Sequence, residues 1–274
     1  MGAVFRKHPT QEQPVPKAQV ATAHPAQGFD PRHFSARCLV WCRADAGVDR
    51  NGSTASRWRD MSGNGNDFSQ STAVKQPALA SAGLGGRPEL TFDGSNDTMD
   101  GASFYGMVSA ADDWTVVVVC RDWTWGPMAS PHGEYLVYGR GVLGAPSGGG
   151  SYFEVAVTNE AGPGLGFAFN DGSHRYGYGV DAEAEGASVV MIGTCDSGDI
   201  TGRFNGASGS PGVGGGSGLN SSATTLELGG GNVNLYRWDG AVSELLIFDG
   251  VLPQNEVSAL EDYMAGRYGV RMSH

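Results

Sequence analysis

Between residues 38 and 248 the apolar positions fall into short runs separated by Gly, Asn, Asp and Ser. Cys38-Leu39-Val40-Trp41-Cys42 is the first run. In Glu89-Leu90-Thr91-Phe92-Asp93 the pattern alternates, with Leu90 and Phe92 on one face and Thr91 and Asp93 on the other. Residues 114–120, WTVVVVC, are apolar without a break, which predicts a strand buried on both faces. Further runs lie at 134–138, 152–157, 165–170, 188–195, 203–206, 225–228 and 241–248. About ten short strands with turn residues between them predict an all-β protein, a sandwich or jelly roll.

The period changes once. Val257, Leu260, Met264 and Tyr268 recur at three- and four-residue steps, so a helix closes the chain with one face on the sandwich. Pro253 suits its start, Glu256 its first turn, and Gly269 its stop. The other end has neither period. Pro9, Pro14, Pro16, Pro25 and Pro31 recur among Gln, Ala, Thr and His, a composition that favours extended chain without a core of its own. We therefore expect an arm over 1–37 and a sandwich over 38–274.

Charge sharpens this division. The chain carries a net charge of −11, which disfavours nucleic acid as a partner. Residues 1–33 hold Arg6, Lys7, Lys17 and Arg32 against Glu12 and Asp30, a net of +2, so the rest holds −13. A basic arm on an acidic body suits docking on an acidic neighbour, including another copy. No run approaches the roughly 18 apolar residues of a membrane span, and no apolar stretch follows Arg6 and Lys7 as a Sec leader would require. Membrane insertion is not expected. Gly, at 44 residues, is about twice its usual share of roughly 7% and clusters in turns, including the loops 139–151 and 206–218. Cys38, Cys42, Cys120 and Cys195 are too scattered for a disulfide framework and are expected as buried thiols, intermolecular bridging being the alternative. Cys38 and Cys42 flank Trp41 in a strand-like run and are expected to share a face, about 13 Å apart and too far for a bridge within one strand.

Five phrases, in order, resemble the laminin-G-like/concanavalin-A-like superfamily. They are Leu39-Val40-Trp41 with Ala44-Asp45; Trp58-Arg59-Asp60-Met61-Ser62-Gly63-Asn64-Gly65-Asn66-Asp67; Pro88 to Gly94; Asp239 to Phe248; and the closing helix, 252–268. The likeness spans roughly 38–270. It implies a two-sheet jelly-roll sandwich, concanavalin A-like, with a C-terminal helix and, here, an extended N-terminal arm. Glu244, inside an apolar strand, is expected to satisfy loop amides or an Arg, since a buried unpaired carboxylate is costly.

Catalysis is not expected. The jelly-roll glucanases that this resemblance brings in carry a Glu-x-Asp-x-(x)-Glu strand, and Glu154 to Glu160 lacks the central Asp. No G-x-S-x-G elbow, Walker loop or H-E-x-x-H is present. Asp60, Asn64, Asn66 and Asp67 offer hard oxygens for a calcium ion, against a metal-free turn as the alternative; no other cofactor is expected. For glycan contact the candidates are Trp123 and Trp125 at a strand end, and Tyr176 and Tyr178 with Asp171 and His174; covering a core edge is the plainer role for such aromatics.

The resemblance extends to bacteriophage virion proteins, and fold alone does not select a function. The expectation is a non-catalytic virion component, a capsid decoration, head-fibre or tail-associated protein, whose sandwich can bind host-surface glycans. The arm would anchor it to other virion proteins through Val4, Phe5, Arg6 and Lys7, with Pro14, Pro16 and Phe29. A homo-oligomer, taken as a trimer, and a virion location complete the expectation. The alternatives are an extracellular lectin or carbohydrate-binding module and a divergent glycoside-active enzyme.

Overall fold

A computed structural model describes residues 29–108, 113–121, 141–144, 151–158, 164–171, 174–178, 187–209, 225–230 and 237–273. Seventeen strands lie among these residues. They are β1 Arg37–Arg43, β2 Val48–Asn51, β3 Thr54–Trp58, β4 Phe68–Ser69, β5 Ala78–Ala80, β6 Glu89–Asp93, β7 Met99–Ser103, β8 Trp114–Arg121, β9 Gly141–Gly144, β10 Ser151–Thr158, β11 Gly164–Asp171, β12 His174–Tyr178, β13 Val189–Asp196, β14 Asp199–Phe204, β15 Ala207–Ser208, β16 Thr225–Leu228 and β17 Asp239–Asp249. A single turn of helix, α1 Phe104–Met107, precedes β8, and α2 Gln254–Tyr268 follows β17. The all-β sandwich with a terminal helix is what the sequence predicts.

The back layer runs β1-β17-β8-β13-β14, all antiparallel. The front layer runs β7-β16-β9-β10-β11-β12. Strands β6, β5, β3 and β4 turn the corner, since β6 pairs with β17 while β4 pairs with β7. The back layer explains the unbroken WTVVVVC run. Val116, Val118 and Cys120 enter the core between the layers, whereas Val117 and Val119 pack under α2 with Leu246 and Phe248. Full burial of each such side chain contributes about 1.5–3 kcal/mol.

Helix α2 buries Val257, Leu260, Met264 and Tyr268 as its period requires, and Glu261 and Tyr263 as well. Gly269 ends it in the left-handed conformation, φ 69°. Arg203 reaches the buried Glu261 and ties the helix to β14. The two layers approach closely where Phe167 of β11 crosses β13: a Cβ on Gly193 would stand 2.4 Å from its ring.

Two expectations need correction. Cys38 and Cys42 do not share a face: Cys38 packs under α2 and Cys42 enters the inter-layer core. A β-bulge between Cys38 and Val40 inserts Leu39 and reverses the alternation. All four thiols are buried, and burial pushes those of Cys38 and Cys120 up to about 12. The body also begins before residue 38. Phe29 stacks on Tyr263 at 3.8 Å and Phe34 on Phe248 at 5.8 Å. The Ser35 amide and hydroxyl both donate to the Glu256 carboxylate. Phe29, expected to reach for a partner, thus packs against its own helix. Aromatic surface buried there outweighs the extended-chain bias of the Pro-rich segment. The other arm residues, Val4, Phe5, Arg6, Lys7, Pro14 and Pro16, lie outside the described residues.

Candidate functional site

The Asp60–Asp67 loop runs along the edge of β1 that β17 leaves open. Asp60 accepts from the Trp41 amide at 2.9 Å, the Ser62 amide at 2.8 Å, the Ser62 hydroxyl at 2.7 Å and the Asn66 amide at 3.1 Å. Asn64 and Asn66 both donate to the carbonyl of Leu39, the bulged residue, and the Ser62 hydroxyl lies 3.0 Å from it. Asp67 accepts from the Asp60 amide and forms an ion pair with Arg57. The loop therefore closes an exposed strand edge and satisfies the bulge. Its carboxylates are turned to the protein's own donors and its two Asn side chains donate nitrogen to carbonyls, an arrangement that does not fit a calcium ion. Among the described residues no group of three or more His, Cys, Asp or Glu could hold a metal.

Glu244 is fully buried and lies beneath α2. The Tyr268 hydroxyl donates to it at 2.6 Å and the Trp41 indole at 2.8 Å; Tyr263 stands at 3.4 Å and the Arg267 guanidinium at 3.5 Å. Burial raises its carboxyl above the ordinary value, while the bonds from Tyr268 and Trp41 oppose that rise. The expected Arg is present, but two hydroxyls and an indole take the place of loop amides. Beside it Asp45 meets Arg267, Arg43 and Arg87. Although burial alone would raise its pKa, these guanidiniums hold Asp45 below the usual carboxylate range. This network fastens helix to sheet, a structural task.

The front layer offers a different surface. One row crosses its strands in register: Met99, Leu228, Leu143, Val155, Phe167 and Gly177. Met99, Leu228, Val155 and Phe167 are buried in the core, so this row marks the inner face. The adjacent row, one residue along each strand, runs Ser69, Asp100, Glu227, Gly144, Glu154, Ala168 and Tyr176. Its described end is open, since Ser69 and Asp100 are exposed and Glu227 is half-buried. The outer face therefore holds three carboxylate positions and a tyrosine in a single row. Glu227 is ion-paired with Arg237.

Flanking rows extend this face. Tyr152, Asn170 and His174 are paired in one, and Ala156, Gly166 and Tyr178 in another. Small positions 166 and 168 on β11 therefore lie between 156 and 154 on β10 and 178 and 176 on β12. Of the predicted glycan residues, the register brings His174, Tyr176 and Tyr178 to one face. Asp171 shares the alternation of Phe167 and belongs to the inner one. Trp123 and Trp125 lie outside the described residues. Asp100 and Glu227 were not legible as site residues, because only cross-strand pairing places them beside Glu154.

No family model matches the chain, and no curated protein matches it in sequence. Solved structures do resemble it. Domain 4 of AbnA, an extracellular GH43 arabinanase from Geobacillus stearothermophilus, was solved in complex with arabinotriose. It is similar at a TM-score of 0.58 and 13% identity, covering 82% of this chain and 98% of that one. The binding domain of Paraclostridial Mosquitocidal Protein 1 is similar at a TM-score of 0.56 and 13% identity, covering 82% of this chain and 51% of that one. At such identity the likeness establishes the fold, an all-β sandwich.

Proposed function

We propose that this chain is a non-catalytic, tethered glycan-binding sandwich whose ligand lies across the outer face of the front layer. The observation that carries the reading is the convergence of Asp100, Glu227, Glu154 and Tyr176 in one cross-strand row, with His174 and Tyr178 in the rows beside it. Tyrosines provide stacking surface for sugar rings, and carboxylates accept from sugar hydroxyls. Small residues at 166 and 168 leave room between the flanking strands. The arabinanase domain, which shares the fold, is a precedent for an oligosaccharide on such a scaffold. The non-catalytic reading is supported by Glu227, the central carboxylate, which is engaged by Arg237 and so poorly placed to shuttle protons.

In this reading the basic, Pro-rich arm anchors the sandwich to a larger assembly, with a bacteriophage virion as the expected kind. The packed segment 29–36 supports it, because it joins the tether to α2 rather than to the glycan face and so leaves that face outward. The test is a glycan array probed with the full chain and with Tyr176→Ala and Tyr178→Ala. Binding by the native chain that falls about tenfold in the variants is expected, as stacking contacts contribute about 1–2 kcal/mol. Failure to retain any glycan, or retention unaffected by either variant, would refute it.

A further inference from the structure

We infer that residues 29–36 form a releasable strap, seated by the buried Glu244 carboxylate, that opens while the sandwich stays folded. The strap is the root of the arm, and its opening is independent of the glycan face. Among the described residues the segment's backbone bonds are its own, from the His33 amide to the Asp30 carbonyl and from the Phe34 amide to the Pro31 carbonyl. Side chains tie it to the body. Phe29 stacks on Tyr263 at 3.8 Å with the planes 10° apart, Phe34 stacks on Phe248, and the Arg32 guanidinium lies 5.9 Å from the Trp41 ring. The Ser35 amide and hydroxyl donate to Glu256 at 2.8 and 2.9 Å, and Pro31 and Ala36 are buried. A segment held in this way opens by itself, because no strand or helix of the body has to break with it.

Two of those contacts end on one group. Tyr263 directs its hydroxyl to Glu244 at 3.4 Å while its ring carries Phe29. Trp41 donates its indole N–H to Glu244 at 2.8 Å while its ring meets Arg32. Trp41 belongs to β1 and Tyr263 to α2, so a single carboxylate fixes two rings from two elements. Arg267 reinforces the arrangement, standing 3.5 Å from Glu244 and 5.7 Å from the Tyr263 ring, and Arg43 lies 5.4 Å from the Trp41 ring. A ring pinned at its polar end keeps its face in place, and Phe29 and Arg32 need both faces at once. Loosening the hold of Glu244 therefore favours opening without touching any contact that the strap itself makes. Opening frees eight residues, which at full extension lengthen the tether by about 27 Å.

The experiment is amide hydrogen exchange on the full chain, read residue by residue by NMR. The amides of His33, Phe34 and Ser35 should be protected about a hundredfold, as two ring contacts and a charged acceptor hold them. Those of β8 exchange through global unfolding and should be slower by orders of magnitude. Phe29→Ala should speed exchange in the strap about tenfold and leave β8 unmoved. Glu244→Gln should speed it about fivefold, and Tyr263→Phe, which keeps the stacked ring and removes only the hydroxyl, about twofold. The second variant carries the test if the first does not fold. A loss of global stability alone speeds β8 and leaves the strap at its native rate, so the two effects separate. Strap amides as slow as those of β8 would show that the segment opens only with the whole fold, and would overturn the strap. Exchange that rises in Phe29→Ala but stays at the native rate in the folded Glu244 and Tyr263 variants would overturn the seating by Glu244.

Discussion

Asp60 is the best single place to test whether the Asx-rich loop is structural. Its carboxylate accepts from three backbone amides, those of Trp41, Ser62 and Asn66, and from the Ser62 hydroxyl. In an Asp60→Ala variant those amides lose their acceptor, and the edge of β1 loses the loop that covers it. At about 1 kcal/mol net per hydrogen bond, the three amides together predict a loss of about 3 kcal/mol. For a chain of this size that corresponds to a fall in Tm of about 6–12 °C. Asp60→Asn keeps one acceptor oxygen and should lose about half as much. Urea unfolding followed by circular dichroism measures both, and repeating it in EDTA and in millimolar calcium separates the two readings of the loop. Calcium at a hundredfold excess over its Kd would add about 2.7 kcal/mol, whereas a loop satisfied by its own donors is indifferent to the ion. A loss under about 1 kcal/mol for Asp60→Ala, or a midpoint that rises with calcium, would refute the structural account.

Three further outcomes follow from the packing and the charges. Burial, and next the charge of Asp93, raise the Asp97 pKa to about 6 from 3.8, so its contribution to stability is full below pH 3.8 and is lost as pH rises through 6. Asp97→Asn should thus gain about 1 kcal/mol on the native chain between pH 4 and pH 8, after allowance for solvent screening; a difference independent of pH in urea titrations would contradict this. Gly193→Ala drives a methyl into the Phe167 ring and should cost about 2–3 kcal/mol, with Phe167→Leu in the same chain recovering part of it. Strictly additive losses would show that the two layers do not meet there. Removing residues 1–28 should leave Tm within about 1 °C, whereas removal through residue 36 should cost about 3 kcal/mol, because Phe29 and Phe34 leave their aromatic partners and Ser35 leaves Glu256. Equal melting of the two truncations would return the boundary to residue 37.

Local pattern and composition alone determined a good deal. A short, unbroken apolar run rich in β-branched Val suits a strand covered on both sides, and β8 is one, flanked by the inter-layer core and by α2. Steps of three and four, with Pro253 before and Gly269 after, marked α2 to within a residue, because helix ends are set by local backbone chemistry. Residues whose role depends on distant chain were not legible. The bulge at Leu39 arises from pairing with a strand some 200 residues away, and it alone decides which faces Cys38 and Cys42 occupy. Phe29 sits in a Pro-rich stretch with no period, and only stacking on the ring of Tyr263, on a remote helix, gives it a place. Aromatics could be named from sequence as candidates for sugar contact, and positions 174, 176 and 178 do share a face. The carboxylates beside them could not, since Asp100, Glu227 and Glu154 belong to three strands far apart in the chain. A strand's own alternation says which residues share its face, but the register between strands is set by the packing of the whole core, and that register makes the row.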